Sequence, residues 1–269
     1  MEKIEKQYKE KGYYLSKSVF TEKFCNELKN YLNTIKPKIN LPFSNIPWGY
    51  GNLLNSGPFK QVTDNNFINN FCKNIFEKDY VFNHLMVNNK ASWIGSAVEW
   101  HQEIFNIDSY APGYSQKDWK NFIQIYIALD EHTLENGCLR IIPESDKLGV
   151  LPCEDIIGDN FGHKRRVTHK ALEKAYNKCG MKTIPMQPGD ILFFNHLTIH
   201  GSASNHSPMS RKSIVLQARC NINKKDETIF QAETNNRQKF TINELEKRIK
   251  TLKNKNIYKD FDEKKDKDK

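Results

Sequence analysis

Three residues, His101, Glu103 and His200, are of the types that hold a transition metal through two imidazoles and one carboxylate. In a β-strand, side chains alternate between the two faces, so His101 and Glu103 would point the same way and Gln102 away from them. The distant His200 could then complete one triangular face of an octahedron. Three coordination positions would stay open, as a non-haem Fe(II) oxygenase requires, whereas protein ligands fill a structural zinc site.

The flanking sequence supports this interpretation, which an isolated His-x-Glu triplet could not carry because such triplets are common by chance. Pro188-Gly189-Asp190 predicts a tight turn, and the apolar residues 191–194 predict a strand after it. His200-Gly201-Ser202 follows, and the cation Arg211 stands further downstream. An apolar run at 122–130 predicts another strand between the two halves of the metal set.

Taken in order, these motifs resemble the phytanoyl-CoA dioxygenase family of Fe(II)- and 2-oxoglutarate-dependent oxygenases. The resemblance covers roughly residues 11–222. Its motifs are Gly12-Tyr13, Trp100-His101-Gln102, Ala128-Leu129-Asp130, Glu135-Asn136-Gly137-Cys138-Leu139 and Pro188-Gly189-Asp190 through Arg211. Several motifs in the right order are far more specific than any one of them.

The resemblance implies a site with Fe(II), 2-oxoglutarate as cosubstrate, and O2. The metal ligands that it implies are His101, Glu103 and His200. Arg211 would form a salt bridge with the distal carboxylate of 2-oxoglutarate, and Ser202 and Trp119 match positions that line the cosubstrate pocket in the family. The chemistry of Arg211 agrees independently, because arginine offers a planar fork of donors that matches a carboxylate and stays charged at any working pH.

Two residues leave alternatives to this ligand set. His196 lies four residues before His200 and is the other local candidate, but the Gly-Ser that follows His200 in the family pattern favours His200. Glu103 stands where the family usually has aspartate, and its extra methylene moves the carboxylate outward by about one C–C bond. We expect ligation with altered geometry; the alternative is a catalytically silent protein that binds a metal or a small molecule.

The predicted activity is hydroxylation of an unactivated C–H bond in a small molecule. Desaturation, ring formation or epimerisation is the runner-up, because all three can follow the same hydrogen abstraction. Residues 164–182 carry seven basic side chains against Glu173 alone, which favours an anionic or zwitterionic substrate. The alternative for this basic segment is a solvated helix. It lacks the aromatic interleaving of single-strand binding surfaces, so nucleic acid is not an expected partner.

The chain has 269 residues, of which 38% are hydrophobic and 12% aromatic, enough for one substantial core. Recurring short strands predict a mainly β fold with flanking helices, a double-stranded β-helix of the jelly-roll, cupin-like kind. We expect a catalytic domain over 1–222 and an extension over 223–258 with one helix at Ile242–Lys253. A disordered charged tail is expected over 259–269.

Hydrophobic periodicity predicts the elements around the site. Helices are expected over 21–33, with Thr21 as the N-cap, and over Asn65–Glu77. Strands are expected around 81–87, 91–98 and 99–105, the last carrying the metal residues near its middle.

Composition also bears on the protein's surroundings. There is no run of 18 apolar residues and the opening is polar and charged, so a cytoplasmic enzyme without a membrane span is expected. The six cysteines are scattered without a Cys-x-x-Cys pair, which is typical of reduced thiols. The expected partner is a small-molecule substrate, and the expected assembly is a monomer or a homodimer.

Overall fold

Antiparallel β-sheets dominate the computed structural model, which describes residues 2–37, 39–40, 47–51, 53–103, 122–160 and 163–220. The helices in these ranges are α1 (Glu2–Lys11), α2 (Glu22–Leu32), α3 (Lys60–Thr63), α4 (Asn66–Phe76) and α5 (His169–Cys179), with 3-10 turns at Gly57–Phe59 and Ser145–Leu148. The strands are β1 (Tyr13–Ser16), β2 (Ile39–Asn40), β3 (Pro47–Tyr50), β4 (Tyr80–Lys90), β5 (Val98–His101), β6 (Phe122–Ala128), β7 (Leu139–Ile141), β8 (Cys153–Asn160), β9 (His163–Val167), β10 (Lys182–Ile184), β11 (Ile191–Asn195), β12 (His200–Ser202) and β13 (Arg211–Cys220).

The strands form a larger sheet, in the order β1-β11-β6-β13-β4-β3-β2, and a smaller sheet, in the order β10-β7-β12-β5. An apolar cluster joins the two sheets, with Tyr126 and Phe194 from the larger and Leu139 and Ile141 from the smaller. The facing sheets confirm the predicted mainly β, double-stranded β-helix fold. None of the helices in the described ranges is long and apolar enough to cross a membrane.

Helices α2 and α4 cover the outer face of the larger sheet, where a second apolar cluster contains Leu28 and Phe71 together with β-strand residues such as Ile125. Both helices confirm their sequence predictions. The Thr21 hydroxyl caps α2 by accepting a hydrogen bond from the Phe24 amide at 3.2 Å. Because helices cover one face and the smaller sheet covers the other, every residue of β6 is buried.

The predicted strands around the metal residues need correction. Strand β4 runs on to Lys90, and the predicted strand over 91–98 is wrong, because a turn forms in which the Gly95 amide bonds the Ala91 carbonyl at 2.9 Å. Strand β5 ends at His101, so Glu103 follows the strand rather than lying within it. Residues 104–105 of the predicted strand lie outside the described residues.

The basic segment predicted over 164–182 forms the end of the β8–β9 hairpin and α5. Arg166 lies 2.8 Å from Glu154 and 3.8 Å from Glu99, which joins the hairpin to the strand that carries His101. Helix α5 packs through Ala175, while Lys170, Lys174 and Lys178 are exposed at intervals of four residues along it. The predicted extension over 223–258 with its helix, and the tail over 259–269, lie outside the described residues.

The turn before β11 docks closely on the chain after β1. The Asp190 carboxylate accepts hydrogen bonds from the amides of Ser18 and Gln187, each at 2.8 Å, and pairs with Lys17. The Gly189 carbonyl accepts from Val19 at 3.0 Å. Gly189 has a φ of +89°, and a Cβ there would lie 2.0 Å from the Phe20 carbonyl oxygen. Only glycine fits both the backbone angle and the space.

Gly189→Ala is therefore expected to lower the free energy of unfolding by about 3 kcal/mol, from left-handed backbone strain plus overpacking. Gly180→Ala is the matched control, because Gly180 also has a positive φ (+68°) but nothing lies within 4 Å of the added Cβ. That control should lose only the cost of its backbone angles (φ +68°, ψ −169°), roughly 1–3 kcal/mol and less than Gly189→Ala, because no clash adds to it. Urea unfolding followed by circular dichroism measures both, and equal losses would contradict the role given to the Phe20 contact.

Candidate active site

His101 and His200 meet where β5 and β12 pair. They are direct partners in the antiparallel register, and their ring centroids lie 4.2 Å apart. Gly201 permits this close pairing, because a Cβ there would lie 2.9 Å from the Val98 carbonyl oxygen. One Glu103 carboxylate oxygen lies 3.2 Å from Nε2 of His200 and 3.7 Å from Nε2 of His101. The structure thus brings together all three residues that the sequence predicts as ligands.

Backbone carbonyls fix the orientation of both imidazoles. Nδ1 of His101 lies 2.7 Å from the Glu99 carbonyl oxygen, and Nδ1 of His200 lies 3.0 Å from the Thr198 carbonyl oxygen. A carbonyl only accepts, so each Nδ1 carries the proton and each Nε2 presents a lone pair. Such a partner on the far nitrogen is the arrangement found for metal-ligating histidines.

The donor set fits a divalent metal ion. One ligand atom from each of the three residues can be chosen so that all lie within 4.8 Å of one another. Ligands at about 2.1 Å from one ion and at right angles would stand roughly 3 Å apart, close to the 3.2 Å and 3.7 Å that separate Glu103 from the two imidazoles. Burial raises the pKa of the Glu103 carboxyl, but the neighbouring His101 and His200 side chains outweigh burial and hold that pKa well below its usual range.

The electrostatics also favour neutral imidazole at His200. Burial, and then the neighbouring His101, lowers the pKa of His200. Phe194 of β11 packs against its ring, with centroids 4.6 Å apart. A neutral imidazole next to an ionised carboxylate is the protonation state that a metal ion needs from its ligands.

His196 lies outside this cluster, in a packed position. Its ring stacks on Phe122 at 4.8 Å, and its Nε2 is 3.1 Å from the Gln217 amide nitrogen. Burial lowers the pKa of His196 to about 4. Its backbone carbonyl accepts a hydrogen bond from the Glu103 amide at 2.9 Å, so this residue positions the chain next to the cluster.

Gln102 anchors the candidate metal ligands His101 and Glu103 to the rest of the fold. Its side chain is fully buried, and its amide nitrogen donates to the carbonyls of Gly149 at 2.9 Å and Leu197 at 2.8 Å. Its amide oxygen accepts from the Leu151 amide at 3.0 Å. These contacts hold the chain where it leaves β5, between His101 and Glu103.

Gln102→Ala is expected to weaken Fe(II) binding by about tenfold or more, because removal of groups that orient metal ligands has effects of this size in other proteins. It should also lower the free energy of unfolding by about 2 kcal/mol, because one buried and two partly buried backbone groups lose their partner. Gln187→Ala is the control, since Gln187 bonds Glu131 at the surface. Metal titration and urea unfolding measure the two effects, and metal affinity equal to that of the control would contradict the anchoring role.

Arg211 begins β13 and lies almost fully buried. Its guanidinium donates to the Gly137 carbonyl at 2.9 Å and stands 5.9 Å from the ring centroid of Tyr126. Asn136 holds the turn that presents this carbonyl, because its side-chain oxygen accepts from the Thr133 amide at 2.8 Å. The predicted cation thus lies inside the fold, held by the Asn136-Gly137 motif.

Polar atoms around Arg211 are left for a ligand. Arg211 Nε, the Tyr126 hydroxyl and the Ser213 hydroxyl are buried, and none has a hydrogen-bond partner among the described residues. Ser213 lies two residues after Arg211 on the same face of β13. Tyr126 pairs with Val215, so all three side chains lie on one face of the sheet. Because each unsatisfied buried polar group costs about 1–3 kcal/mol, this face is a candidate site for an acceptor such as a carboxylate.

Ser202, the other predicted pocket residue, is buried on β12, two residues after His200. Its hydroxyl oxygen lies 2.9 Å from the Lys90 ammonium nitrogen, and Lys90 pairs with Arg211 in the register of β4 and β13. Ser202 therefore links the strand of His200 to the two basic residues Lys90 and Arg211. Trp119, also predicted to line this pocket, lies outside the described residues.

Sequence reasoning missed Lys90 and Gln102. Both are polar residues that become buried only through contacts between distant segments of the folded chain. Lys90 contacts Ser202, which is 112 residues away in sequence, and Gln102 contacts Leu197, which is 95 residues away. Gln102 carried one signal, because strand alternation turns it away from the metal face. Lys90 carried none, because a lysine at the end of a strand usually lies in solvent.

The family model of phytanoyl-CoA dioxygenase (PhyH) matches residues 8–213. The chain is 37% identical over 95 residues to the dioxygenase lolE1 of Epichloe uncinata, and this match covers 35% of this chain and 31% of that protein. It is 31% identical over 98 residues to a methylphosphonate hydroxylase of Gimesia maris, and this match covers 36% of this chain and 33% of that protein. The chain thus spans about a third of the length of these curated relatives.

Among solved structures, EctD from S. alaskensis, in complex with 2-oxoglutarate and 5-hydroxyectoine, superposes with a TM-score of 0.67. The match covers 82% of this chain and 76% of EctD, at 15% sequence identity. At this sequence identity, the structural similarity shows a shared fold and nothing further.

Proposed function

Since the chain belongs to the phytanoyl-CoA dioxygenase family, we propose that it is an Fe(II)- and 2-oxoglutarate-dependent dioxygenase that hydroxylates a small molecule. The observation that carries the proposal is that the folded sheets hold a candidate metal site and a buried arginine in the same interior. The cluster of His101, Glu103 and His200 has the donors for Fe(II), and Arg211 shares a sheet face with buried polar atoms that lack a hydrogen-bond partner among the described residues. Ser202 and Lys90 connect the two.

Each residue has a part in this proposal. His101, Glu103 and His200 would hold Fe(II) on one face, leaving the other face for ligands. When bound, Fe(II) supplies open coordination positions at which 2-oxoglutarate and O2 combine to oxidise a C–H bond. Arg211 would bind the distal carboxylate, with the Tyr126 and Ser213 hydroxyls as further donors.

The protein's contribution is then positioning. The carbonyls of Glu99 and Thr198 hold the imidazoles in one tautomer, and Gln102 holds the chain between the ligands. The buried walls limit access of water to the cosubstrate. Because hydrogen-atom abstraction needs no general base, the neutral His196 and His132 require no acid–base role.

For the substrate, we propose a small anionic or zwitterionic metabolite. The support is the basic segment, whose hairpin lies against β5 through Arg166 and Glu99. The name of the methylphosphonate hydroxylase, an enzyme of an anionic compound, agrees with this class. Desaturation or ring formation on such a substrate would use the same residues.

A catalytically silent metal- or small-molecule-binding protein is the second candidate, and the specific observation in its favour is Glu103 at the position of the usual aspartate. In this case the site would bind Fe(II) and 2-oxoglutarate without turnover. Formation of succinate from 2-oxoglutarate separates the two candidates.

The test is an anaerobic titration of the metal-free protein with Fe(II) and then 2-oxoglutarate, followed by visible absorption of the metal chelate. The proposal expects a charge-transfer band that saturates at one equivalent. Admission of O2 with a panel of small anionic and zwitterionic metabolites should then give substrate-dependent succinate. A folded protein that forms no band would overturn the dioxygenase proposal, and a band without succinate under any condition would favour the silent candidate.

A further inference from the structure

Lys90 is a buried lysine at the end of β4 whose position links two predicted binding residues. Only 1% of its surface is exposed. Its Nζ lies 2.8 Å from the Ser96 carbonyl oxygen, 2.6 Å from that of Ala203 and 2.9 Å from the Ser202 hydroxyl oxygen. Lys90 is also the direct register partner of Arg211, across β4 and β13. The sheet therefore places two basic side chains next to each other at one end of the pocket.

The contacts and the surroundings of Lys90 favour different protonation states. Three oxygen acceptors suit the ammonium form, which has three N–H donors, whereas a neutral amine has two. Burial, and then the charge of Arg211, lowers the pKa of Lys90 to about 6, although the Cys138 thiol opposes this shift. An anion placed beside Arg211 would favour the ammonium form, because opposite charges stabilise each other most where water is excluded.

The contact with Ser202 has a directional consequence. The Lys90 ammonium can only donate, so the Ser202 oxygen accepts and its own O–H is left to point elsewhere. A serine hydroxyl held in this way is oriented as a donor. Ser202 lies two residues after His200, so a ligand that extends from the metal cluster toward Arg211 would pass it.

We propose that Lys90 is a positioning residue for the distal carboxylate of 2-oxoglutarate: it orients the Ser202 hydroxyl as a donor and places a second positive charge beside Arg211 in the bound state. This inference rests on the proposed function. It goes beyond that function in predicting that cosubstrate binding is coupled to uptake of a proton. The affinity for 2-oxoglutarate would therefore fall as the pH rises above neutrality.

His132 is the other group that could take up a proton here. Its Nε2 lies 3.3 Å from the Lys212 carbonyl, and burial, followed by the charges of Arg211 and Lys90, holds its pKa well below the usual range. The other groups that act on Lys90 or His132 are Arg211 on β13 and Cys138 before β7, and Arg140 on β7 and Glu135 act in turn on Cys138. The experiment has to separate Lys90 from His132.

The experiment is calorimetric titration of the full chain, loaded with Mn(II), at pH 7.5 in two buffers of different ionisation enthalpy. The probes are 2-oxoglutarate and 2-oxobutyrate, which has the same metal-chelating end but lacks the distal carboxylate. Only 2-oxoglutarate should cause net proton uptake, up to about one proton per molecule bound. This comparison needs no variant, and equal proton uptake with both probes would overturn the proposal.

Variants then assign the proton. Lys90→Met should weaken 2-oxoglutarate binding by roughly tenfold to a hundredfold and abolish the extra proton uptake, while 2-oxobutyrate binding stays unchanged. Ser202→Ala should weaken 2-oxoglutarate by a smaller factor, and its effect should shrink in the Lys90→Met background because the two residues act together. The exposed Lys170→Met is the control.

The outcomes separate this inference from the proposed function. If the wild type fails to bind 2-oxoglutarate with the metal, the proposed function itself fails. If the wild type binds and Lys90→Met binds equally well with the same proton uptake, only the role of Lys90 is wrong. Loss of the uptake in His132→Gln, with its retention in Lys90→Met, would assign the proton to His132 and overturn the proposal.

Discussion

His200→Ala is expected to weaken Fe(II) binding by more than about a hundredfold and to remove the charge-transfer band with 2-oxoglutarate. Loss of a group that merely orients a metal ligand costs 10- to 100-fold in affinity, so loss of a ligand should cost more. Without His200, only His101 and Glu103 remain of the cluster, and Glu103 loses the nearer of its two imidazole partners, at 3.2 Å. Anaerobic Fe(II) titration with visible absorption measures the effect.

The matched control is His206→Ala, because His206 is an exposed histidine on the same connection between β12 and β13. It should bind Fe(II) and 2-oxoglutarate as the wild type does. Circular dichroism and urea unfolding establish that His200→Ala is folded before its metal binding is judged. A folded His200→Ala protein with wild-type Fe(II) affinity would contradict the proposed ligand set.

The outline of the fold could be predicted from local sequence where one pattern dominates. Helices α2 and α4 have apolar residues at helical spacing and capping residues, Thr21 and Asn65, that accept a hydrogen bond in the first turn. Strand β4 could not be bounded in this way. Its last residues, Asn89 and Lys90, are polar yet buried, because pairing with β13 takes them inside. Alternation assigns polar residues to solvent and therefore ends the strand too early.

The candidate site divides in the same way. His101, Glu103, His200 and Arg211 could be found from sequence because few residue types bind a metal or a dicarboxylate, and motifs of recognisable order surround them. The alternation argument for Glu103 was wrong in detail, since β5 ends at His101. What brings Glu103 to His200 is the bond of its amide to the His196 carbonyl, a contact between distant segments. Sequence spacing has no access to such contacts.

Arg211→Met is expected to weaken 2-oxoglutarate binding by about a hundredfold or more, because it removes a buried charge and its donors from the pocket. Fe(II) affinity should change little, since the contacts of Arg211 are with Gly137 and Tyr126 rather than with the metal cluster. The affinity of Arg211→Lys for 2-oxoglutarate should lie between those of the wild type and Arg211→Met, because lysine keeps the charge but lacks the planar fork of donors. Spectroscopic titration of the Fe(II) protein with 2-oxoglutarate measures all three.

The adjacent Lys212→Met is the control for Arg211→Met, because Lys212 points to the opposite face of β13, where its Nζ lies 3.9 Å from Asp130. Its affinity for 2-oxoglutarate should match that of the wild type. Binding of 2-oxobutyrate, which lacks the distal carboxylate, distinguishes loss of a specific carboxylate contact from general damage to the pocket. If Arg211 binds the distal carboxylate, Arg211→Met should leave the affinity for 2-oxobutyrate unchanged. An equal loss for both 2-oxo acids would mean that Arg211 supports the pocket through Gly137 and does not contact the cosubstrate.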